Sequence, residues 1–447
     1  MLPIPVPSLE ERFDVIVAGA GSSGVIAAVA AARSGARTLL IERYGFLGGI
    51  STGVLDTFYG FYTPGTLSMK VVGGIADEVV DALRTFGCCF ERPNTYGAGT
   101  GVTYNPEYLK VVWERLVLNA GCRILLHAWV QEAHVVNQKI ERLVIATKAG
   151  LRTLESRFFI DATGDADLCH LAGAPCELAG QHEPAQSLTT TFKVANVDVD
   201  ARRAISKQEF HNRMASAAES GTFDLPRRDG SDHRTTIPGL MATNLTRVQS
   251  FTGEQGQFRN AIDPVFLTQA ETEGRRQAVE YLRFLRASIP GYANAELVSF
   301  GVQVGVRESR RVLGEYRLTR EDVLTARQFD DQIGLCGAPI EDHHSGRDTA
   351  WQYLPDGRCV GIPFRTLIPK QVDNLLVIGR CFSATHDAHA AVRSMAQCMA
   401  MGQAAGTAAA LCCERTQSPC ELDVADLRVR LRSRGAVLSV EEIHGIS

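Results

Sequence analysis

The start of this chain carries the feature that most constrains its fold, a glycine-rich turn between an apolar run and an alanine-rich segment. Residues 13–18 form a short apolar run typical of a buried strand, and residues 25–33 favour a helix. Between them, Gly19, Gly21 and Gly24 have the spacing G-x-G-x-x-G. Gly19 permits a tight turn, Gly21 lets the backbone approach a pyrophosphate, and Gly24 lets the helix pack closely on the strand.

The next elements complete a nucleotide-binding βαβ unit. Residues 38–41 are predicted as a second buried strand, and Glu42 ends it. A carboxylate at that position is placed to accept hydrogen bonds from the adenosine ribose hydroxyls. Ser22 and Ser23, in the turn before the predicted helix, are predicted cofactor contacts, and the free N–H groups and positive dipole of the helix start favour a phosphate. The order of strand, turn, helix, strand and acid therefore predicts dinucleotide binding.

The loop after the ribose acid distinguishes among dinucleotides. Its residues include Arg43, the glycine pair Gly48 and Gly49, and Ser51. A glycine pair so soon after the acid is unusual for a plain NAD enzyme. It resembles the flavoprotein superfamily of glutathione reductase and fumarate reductase, in which this loop lies along the FAD pyrophosphate and ribityl chain. The resemblance implies that these residues bind FAD.

Two later segments resemble further FAD-binding parts of that superfamily, and both are predicted to end in a cofactor contact. Residues 122–130 are predicted as one strand, whose last residue, Val130, resembles the position that contacts adenine through its backbone. Residues 158–167 resemble the strand end that closes the first FAD segment. The contacts that the resemblance implies there are Thr163, Gly164 and Asp165.

The C-terminal part of the chain resembles the final FAD segment. Residues 374–380 are predicted as a buried strand that ends at Gly379 and Arg380, and residues 390–413 as one helix kept thin by small residues. In such folds this helix brings its N-terminus to the isoalloxazine, where its dipole stabilises negative charge on the reduced ring. Ala391 and Val392, at the predicted helix start, are the implied contacts.

Several motifs together make the chain similar to a family known as FAD-dependent oxidoreductases, a fumarate-reductase-like branch. They are GFLGG at 45–49, GLMATN at 239–244, GVRESRR at 305–311, GEY at 314–316, NLLVIGR at 374–380 and GQAAG at 402–406. The similarity runs from about Phe13 to Leu411, and GVRESRR is its most specific part. It implies one non-covalent FAD and a redox reaction, while the substrates of the family are diverse.

The predicted fold class is α/β, a Rossmann-like FAD-binding domain built from discontinuous segments, with an inserted α+β substrate (cap) domain. Within the cap, residues 271–288 are predicted as a helix and residues 297–306 as β-rich. The predicted units are the first FAD segments (10–186, with a substrate-side insertion near 52–104), the cap (187–355), the final FAD strand and helix (356–415) and a C-terminal tail (416–447).

Two histidines are candidates for proton transfer. His386 and His389 flank Asp387 in a predicted loop just after the last FAD strand, so they are expected near the flavin ring. A general acid or base is one interpretation, because histidine titrates near neutral pH. The other is a hydrogen bond to FAD or to the backbone. No metal site is predicted, because two histidines need a further ligand. A second cluster, 342–344, is either an active-site contact or a solvated loop.

Arginines form the second candidate site. If residues 305–313 are helical, then Arg307, Arg310 and Arg311 share one face. Three like charges on one face repel each other unless an anion pairs with them. Glu308 and Glu315 are one source of that pairing, and the FAD pyrophosphate or a substrate carboxylate is the other, because an arginine fork matches both.

Composition limits the partners. The formal charge of −4 gives no reason to expect nucleic acid or an anionic membrane. The apolar stretch 388–413 is interrupted by polar residues and is predicted as a buried helix, with no membrane span. Twelve cysteines without a C-x-x-C motif or a secretory signal predict reduced thiols in a cytoplasmic protein. Whether the chain forms a homodimer stays open.

The predicted function is that of an FAD-dependent oxidoreductase, a dehydrogenase or oxidase that transfers hydride between flavin and a small polar, anionic organic substrate. A second G-x-G-x-x-G is absent from the sequence, so the electrons are expected to reach dioxygen, a quinone or a carrier protein directly. A desaturase or enoate reductase acting on a C–C bond alpha to a carbonyl is the alternative. A non-redox flavin-binding protein is a third class.

Overall fold

The computed structural model describes residues 12–182, 184–252, 257–343 and 348–443. The start of the chain up to residue 11, His344 of the second histidine cluster, and residues 444–447 of the predicted tail lie outside the described residues. Within the described residues, no helix is both long enough and apolar enough to cross a membrane.

Strands of two to twelve residues occur throughout the described chain. The strands are β1 (Phe13–Ala18), β2 (Thr38–Ile41), β3 (Thr57–Phe58), β4 (Cys89–Arg92), β5 (Gly101–Tyr104), β6 (Arg123–Leu125), β7 (Trp129–Val136), β8 (Lys139–Thr147), β9 (Gly150–Asp161), β10 (Cys176–Leu178), β11 (Phe192–Ala195), β12 (Ser231–Arg234), β13 (Met241–Asn244), β14 (Phe251–Thr252), β15 (Gln257–Phe258), β16 (Glu296–Phe300), β17 (Arg310–Val312), β18 (Gln332–Cys336), β19 (Ile340–Asp342), β20 (Ala350–Gln352), β21 (Val360–Pro363) and β22 (Leu375–Val377).

The helices are α1 (Ser22–Arg33), α2 (Ile50–Gly53), α3 (Ile75–Thr85), α4 (Pro106–Asn119), α5 (Asp167–Leu171), α6 (Val199–Arg203), α7 (Lys207–Glu219), α8 (Pro264–Ser288), α9 (Arg320–Leu324), α10 (His386–Val392), α11 (Met395–Arg415), α12 (Val424–Arg432) and α13 (Val440–Ile443). Short 3-10 turns lie at Phe364–Leu367, Gly379–Cys381 and Pro419–Glu421.

The largest sheet organises the nucleotide-binding part of the molecule. Its order is β6-β2-β1-β9-β8-β7, with β22 beside β9. Strands β6, β2, β1, β9 and β22 are parallel, and β7 and β8 continue the sheet as an antiparallel pair. One face of the parallel strands packs against α1 and α11, and the other packs against β7, β8 and α5. Burial on both faces explains why residues 13–18 and 38–41 form nearly continuous apolar runs. The structure confirms both strands and the Rossmann-like α/β class.

Helices α1 and α11 pack side by side against this sheet through small residues. A Cβ added at Gly402 would lie 2.3 Å from the carbonyl oxygen of Ser23. A Cβ at Gly406 would lie 2.1 Å from that of Ala27. Only glycine allows this approach, and the contact holds the start of α11 next to the G-x-G-x-x-G loop.

A second sheet, with the order β12-β13-β11-β16, is antiparallel and lies within the predicted cap. It has its own hydrophobic core, in which Phe192 of β11 packs with Tyr281 and Phe284 of α8. The three strands β3, β5 and β4 form a small sheet within the predicted insertion 52–104. The domain boundaries themselves stay a prediction.

The structure corrects two of the predicted boundaries in the FAD segments. Residues 122–130 form two strands rather than one, because the chain turns at His127, which has a φ of 55°. Val130 therefore lies near the start of β7 and not at a strand end. Residues 390–413 belong to two helices that are separated at 393–394, so His386 and His389 lie inside α10 and not in a loop.

Residues 305–313 are not helical, so the condition under which the three arginines would share one face is not met. Gly305 forms a bridge with Thr189, and Arg310 begins β17, which pairs antiparallel with β10. Neighbouring side chains of a strand point to opposite faces, so Arg310 and Arg311 cannot share the face proposed for them.

The long cap helix ends at Ser288 as predicted, but it begins at Pro264, where Asp263 caps its N-terminus.

Candidate active site

The glycine-rich turn has the geometry that a pyrophosphate site needs. A Cβ at Gly24 would lie 1.9 Å from the carbonyl oxygen of Gly19, so helix and turn are in direct backbone contact. A Cβ at Gly21 would meet nothing within 4 Å. Gly21, Ser22 and Ser23 line a cavity, and no side chain caps the start of α1. The open space beside Gly21 therefore faces a helix N-terminus, where an anion is stabilised.

The second glycine loop lies against the first. Gly48 forms a bridge with Gly21, and its N–H donates to the carbonyl oxygen of Ala20 at 2.7 Å. Gly48 has a φ of 111°, a region that favours glycine. A Cβ at Gly49 would come within 3.1 Å of the Gly21 Cα, and the Ser51 hydroxyl donates to the carbonyl oxygen of Gly48. The two loops together form one wall of the nucleotide site.

Glu42 is held rigidly at the end of β2. One carboxylate oxygen accepts the N–H of Ala20 at 2.8 Å, and the other accepts the N–H of Tyr44 at 2.9 Å. Burial raises the pKa of Glu42, although these backbone donors oppose the shift. A carboxylate has about four acceptor sites, so two remain for ribose hydroxyls. The Arg43 guanidinium lies 5.4 Å from the centre of the Trp129 ring, next to Val130 in the chain.

Asp165 and Arg380 form an ion pair between the ends of β9 and β22. Asp165 accepts from Arg380 at 2.8 Å and from the Ser309 hydroxyl at 2.6 Å. Burial acts to raise the pKa of Asp165, but the Arg380 charge and these hydrogen bonds lower it overall. Gly164 approaches the Arg380 guanidinium, and the Thr163 hydroxyl donates to Asp161. Of the residues predicted here, Gly379 and Arg380 line the cavity.

Arg310 belongs to this ion-pair region and not to the cavity wall. Its guanidinium donates to the carbonyl oxygen of Asp165 and to the Asp167 carboxylate, each at 2.9 Å. Arg311 pairs with Glu308 and with Glu177. Arg307 alone of the three predicted arginines lines the cavity. Of the two acidic partners considered from the sequence, Glu308 pairs with Arg311, whereas the partner of Arg310 is Asp167 and not Glu315.

His386 and His389 are buried and do not lie among the cavity-lining residues. His386 Nδ1 lies 3.0 Å from a Glu308 carboxylate oxygen, and its Nε2 lies 3.3 Å from Asp342. His389 Nε2 lies 2.6 Å from the carbonyl oxygen of Arg380, and burial lowers its pKa well below the usual value. Asp342, His386 and Asp387 offer possible metal-ligand atoms within 4.8 Å of one another, but His386 is already paired with two carboxylates. Ala391 and Val392, also in α10, are buried in the core.

A cavity of about 630 Å³ extends from the nucleotide loops to the cap. Its wall is rich in charged groups, and cations outnumber anions. The cationic side chains are Arg92, Lys207, Arg227, Arg307, Arg380 and Arg393, and the acidic ones are Asp229, Glu341 and Asp348.

Among the described residues, two of these six cations, Arg227 and Arg380, have a carboxylate partner within 4.0 Å. Arg227 donates to Asp229 at 2.7 Å, and Arg380 is paired as described above. Arg307 instead donates to the carbonyl oxygen of Ser187 at 2.6 Å and to the Thr189 hydroxyl at 2.9 Å. Arg393 donates only to the backbone oxygen of Glu341, at 3.4 Å. Over the residues that the structure describes, no carboxylate oxygen lies within 4.0 Å of Arg307 or Arg393.

Glu341 lies near both arginines but is turned toward a histidine. His343 Nε2 lies 2.9 Å from the Glu341 carboxylate, and His343 Nδ1 lies 3.0 Å from the Thr349 hydroxyl. Burial lowers the pKa of His343, with Arg307 adding to the effect. Burial acts to raise the pKa of Glu341, but the His343 hydrogen bond and the two arginines lower it overall. The carboxylate is therefore ionised at neutral pH.

Much of this wall was not found by sequence patterns. Tyr59, Arg92 and Lys207 line the cavity together with His211, Arg227, Glu341 and Arg393. They come from the insertion, the cap and the turn after α10, and no motif spacing connects them. A grouping of charged side chains from segments so far apart appears only when the sheets are assembled.

The parallel sheet, the paired glycine loops and the buried Glu42 carboxylate at the end of β2 agree with a Rossmann-like FAD-binding fold. The family described as FAD dependent oxidoreductase matches residues 14–431, and the chain belongs to this family. FAD is accordingly its cofactor, and the protein is an oxidoreductase. No curated protein sequence matches the chain.

Solved structures with low sequence identity resemble the chain. A geranylgeranyl bacteriochlorophyll reductase-like protein from Thermoplasma acidophilum is 12% identical over 97% of this chain and 90% of its own, with a TM-score of 0.44. The flavin-dependent brominase Bmp2 is 12% identical over 95% and 83%, with a TM-score of 0.46. The aromatic hydroxylase CabE is 16% identical over 69% of this chain and 55% of its own, with a TM-score of 0.40. This chain therefore matches about half the length of CabE. The family match, and not these likenesses, carries the assignment.

Proposed function

We propose that the enzyme transfers hydride between FAD and a small polar organic substrate that carries an anionic group and lies in the 630 Å³ cavity. The observation that carries this proposal is the pair Arg307 and Arg393. Both line the cavity, and among the described residues neither has a carboxylate oxygen within 4.0 Å. A partly buried guanidinium without an anionic partner is stabilised by a bound anion.

The two arginines are held so that donors remain available. The two hydrogen bonds from Arg307 leave through the same nitrogen, Nη1, and reach Ser187 and Thr189. A guanidinium has five N–H donors, so its Nη2 and Nε groups are left for a ligand. Arg393 donates through Nη2 to the backbone of Glu341, and in the described part of the chain its Nη1 makes no hydrogen bond, so Nη1 is the donor left for a ligand. A carboxylate accepts two parallel N–H donors from such a fork.

The cofactor-binding residues fix where the substrate would react. When bound, FAD supplies the two-electron acceptor. Gly21 and Gly48 leave room for its pyrophosphate, and Glu42 is placed for its ribose. Ser394 and Met395, at the start of α11, line the cavity, and no side chain caps this helix start. A helix N-terminus there favours negative charge, which is what develops on reduction.

The test is anaerobic bleaching of the bound flavin by small hydroxy acids and amino acids, each compared with its own amide or methyl ester. We expect some acids to bleach the flavin and their neutral derivatives to act much more weakly. Bleaching by dithionite and recovery in air serve as the positive control for a redox-active flavin. Equal bleaching by acids and neutral derivatives would contradict the anionic substrate. A flavin that dithionite cannot reduce would point to the non-redox class.

A further inference from the structure

His211 lies on α7 of the cap and lines the cavity. It is one helical turn after Lys207, so both side chains project from the same face of α7 into the same space. His211 Nε2 lies 3.1 Å from the carbonyl oxygen of Gly230. No sequence motif singled out this residue.

The contact with Gly230 fixes which ring nitrogen carries the proton. A carbonyl oxygen can only accept, so Nε2 is the donor and Nδ1 keeps its lone pair in the neutral ring. In the residues that the structure describes, Nδ1 of His211 has no hydrogen-bond partner. The lone pair is therefore available to a molecule in the cavity.

The charged groups around His211 favour its neutral form. Burial lowers its pKa, and the charges of Lys207 and Arg227 add to that effect. The hydrogen bond to Gly230 and the Asp229 carboxylate act in the opposite direction, and the overall shift is downward. At neutral pH the imidazole is thus an acceptor, as a general base must be.

The other described histidines near the site differ from His211 in this respect. His386 and His343 are buried, and each has both ring nitrogens within reach of protein groups. His389 is buried away from the cavity wall. Among the described residues, His211 is the histidine that lines the cavity.

We propose that His211 is the general base of the oxidation, an inference that rests on the proposed function. FAD, when bound, would supply the two-electron acceptor for the hydride that leaves the substrate's C–H bond. The proton of the adjacent O–H or N–H group moves to Nδ1 of His211, and a C=O or C=N double bond forms. The His211 side chain becomes an imidazolium ion and later releases this proton to solvent.

The decisive variant is His211→Gln, whose terminal amide can keep a donor toward the Gly230 carbonyl while Nδ1 is lost. We expect the rate of anaerobic flavin reduction to fall by about 10²–10⁴-fold, with little change in the substrate concentration for half-maximal rate. The decline of the wild-type rate on the acidic side, where the imidazole is protonated, should be absent from the variant. Asn212→Ala, an exposed neighbour on α7, is the matched control and should keep the wild-type rate.

A second measurement is independent of turnover. Diethylpyrocarbonate acylates accessible neutral imidazoles, and peptide mapping identifies which one. We expect His211 to be modified in the holoenzyme and protected by an acid that bleaches the flavin. Lack of protection, or a Gln variant with wild-type rate and pH profile, would overturn the assignment while leaving the proposed function intact. If no acid bleaches the wild-type flavin, the proposed function fails and the role of His211 fails with it.

Discussion

Two regions of the molecule are built in different ways. We call the glycine loops around Gly21 and Gly48 the nucleotide end, and the charged wall around Arg307 and Arg393 the cavity end. At the nucleotide end, Gly19, Gly21 and Gly24 lie within six residues, and the wall is mostly backbone. At the cavity end, Arg307, Arg393 and His211 come from three distant segments, and the wall is mostly side chains. A site built from backbone groups depends on local conformation, which the spacing of glycines along the sequence encodes. A side-chain site depends on how sheets and helices pack, which spacing does not encode.

The sharpest way to test this contrast is a pair of glycine variants at the nucleotide end. A side chain in Gly21→Val would enter the open space where the pyrophosphate fits, so we expect a folded but colourless protein. In Gly24→Val, the Cβ would lie 1.9 Å from the Gly19 carbonyl oxygen, so we expect a loss of folded protein. Flavin absorbance and circular dichroism separate the two outcomes. A yellow Gly21→Val protein with normal stoichiometry would contradict this assignment of the loop.

The amino-acid sequence was sufficient to predict secondary structure where burial produces a simple pattern of apolar residues. Strands β1 and β2 were predicted with their observed bounds, because parallel strands covered on both faces require continuous apolar runs. The spacing of Arg307, Arg310 and Arg311 is compatible with one face of a helix, but that spacing alone does not establish a helix. Arg310 and Arg311 instead lie in strand β17, which pairs with β10, a strand remote in sequence.

The candidate site likewise contains some residues that sequence patterns indicated and others that they did not. Gly21 was predicted from the spacing of the glycines and Gly48 from the resemblance to flavoproteins, and the structure places the two in contact. His386 was singled out because it follows the last strand, but Glu308 and Asp342 surround it. Those partners are 78 and 44 residues away along the chain, so no local pattern could indicate them. His211 had no local signal for the same reason.

At the cavity end, removing an arginine should weaken substrate binding without removing the cofactor. A charge-assisted hydrogen bond contributes about 1.5–3 kcal/mol, so Arg307→Ala should raise KM by about ten- to a hundredfold. The change in kcat should be smaller, because the contact is equal in ground and transition states. Steady-state kinetics on a bleaching acid, with FAD occupancy measured first, checks this. Arg203→Ala, an exposed arginine of α6, is the control.

Arg310→Ala gives the complementary result. Because Arg310 pairs with Asp167 and does not line the cavity, we expect weaker FAD retention or lower stability and an unchanged KM in the remaining holoenzyme. A large KM effect in Arg310→Ala and none in Arg307→Ala would contradict the placement of the substrate anion.

The nucleotide end should also carry a pH dependence of stability. Burial, with the neighbouring Asp165 and Asp161, raises the pKa of Asp167 from 3.8 to about 6. The folded state then binds this proton more tightly than the unfolded state does. The stabilisation is fully present below pH 3.8 and is lost as the pH rises through about 6. For a side chain that is 30% exposed, we expect about 1–2 kcal/mol.

Asp167→Asn isolates this contribution. The variant lacks the titration but keeps an oxygen for Arg310, so its stability relative to wild type should increase between pH 4 and pH 7. Urea unfolding of both holoproteins across that range measures the difference. A constant difference across the range would show that the Asp167 carboxyl does not titrate there.

The smallest expected effect lies in the cap, at the N-terminus of α8. The Asp263 side chain accepts the N–H of Val265 at 2.9 Å and caps α8, which packs its apolar face into the cap core. Asp263→Ala leaves that N–H without its partner, and we expect a loss of about 1 kcal/mol in the free energy of unfolding. Asp263→Ser, which keeps a capping oxygen, should recover most of it. Flavin content should stay unchanged in both variants, because α8 contributes no residue to the nucleotide loops. Loss of flavin in Asp263→Ala at full folding would show that the cap and the nucleotide end are coupled more tightly than their separate cores indicate.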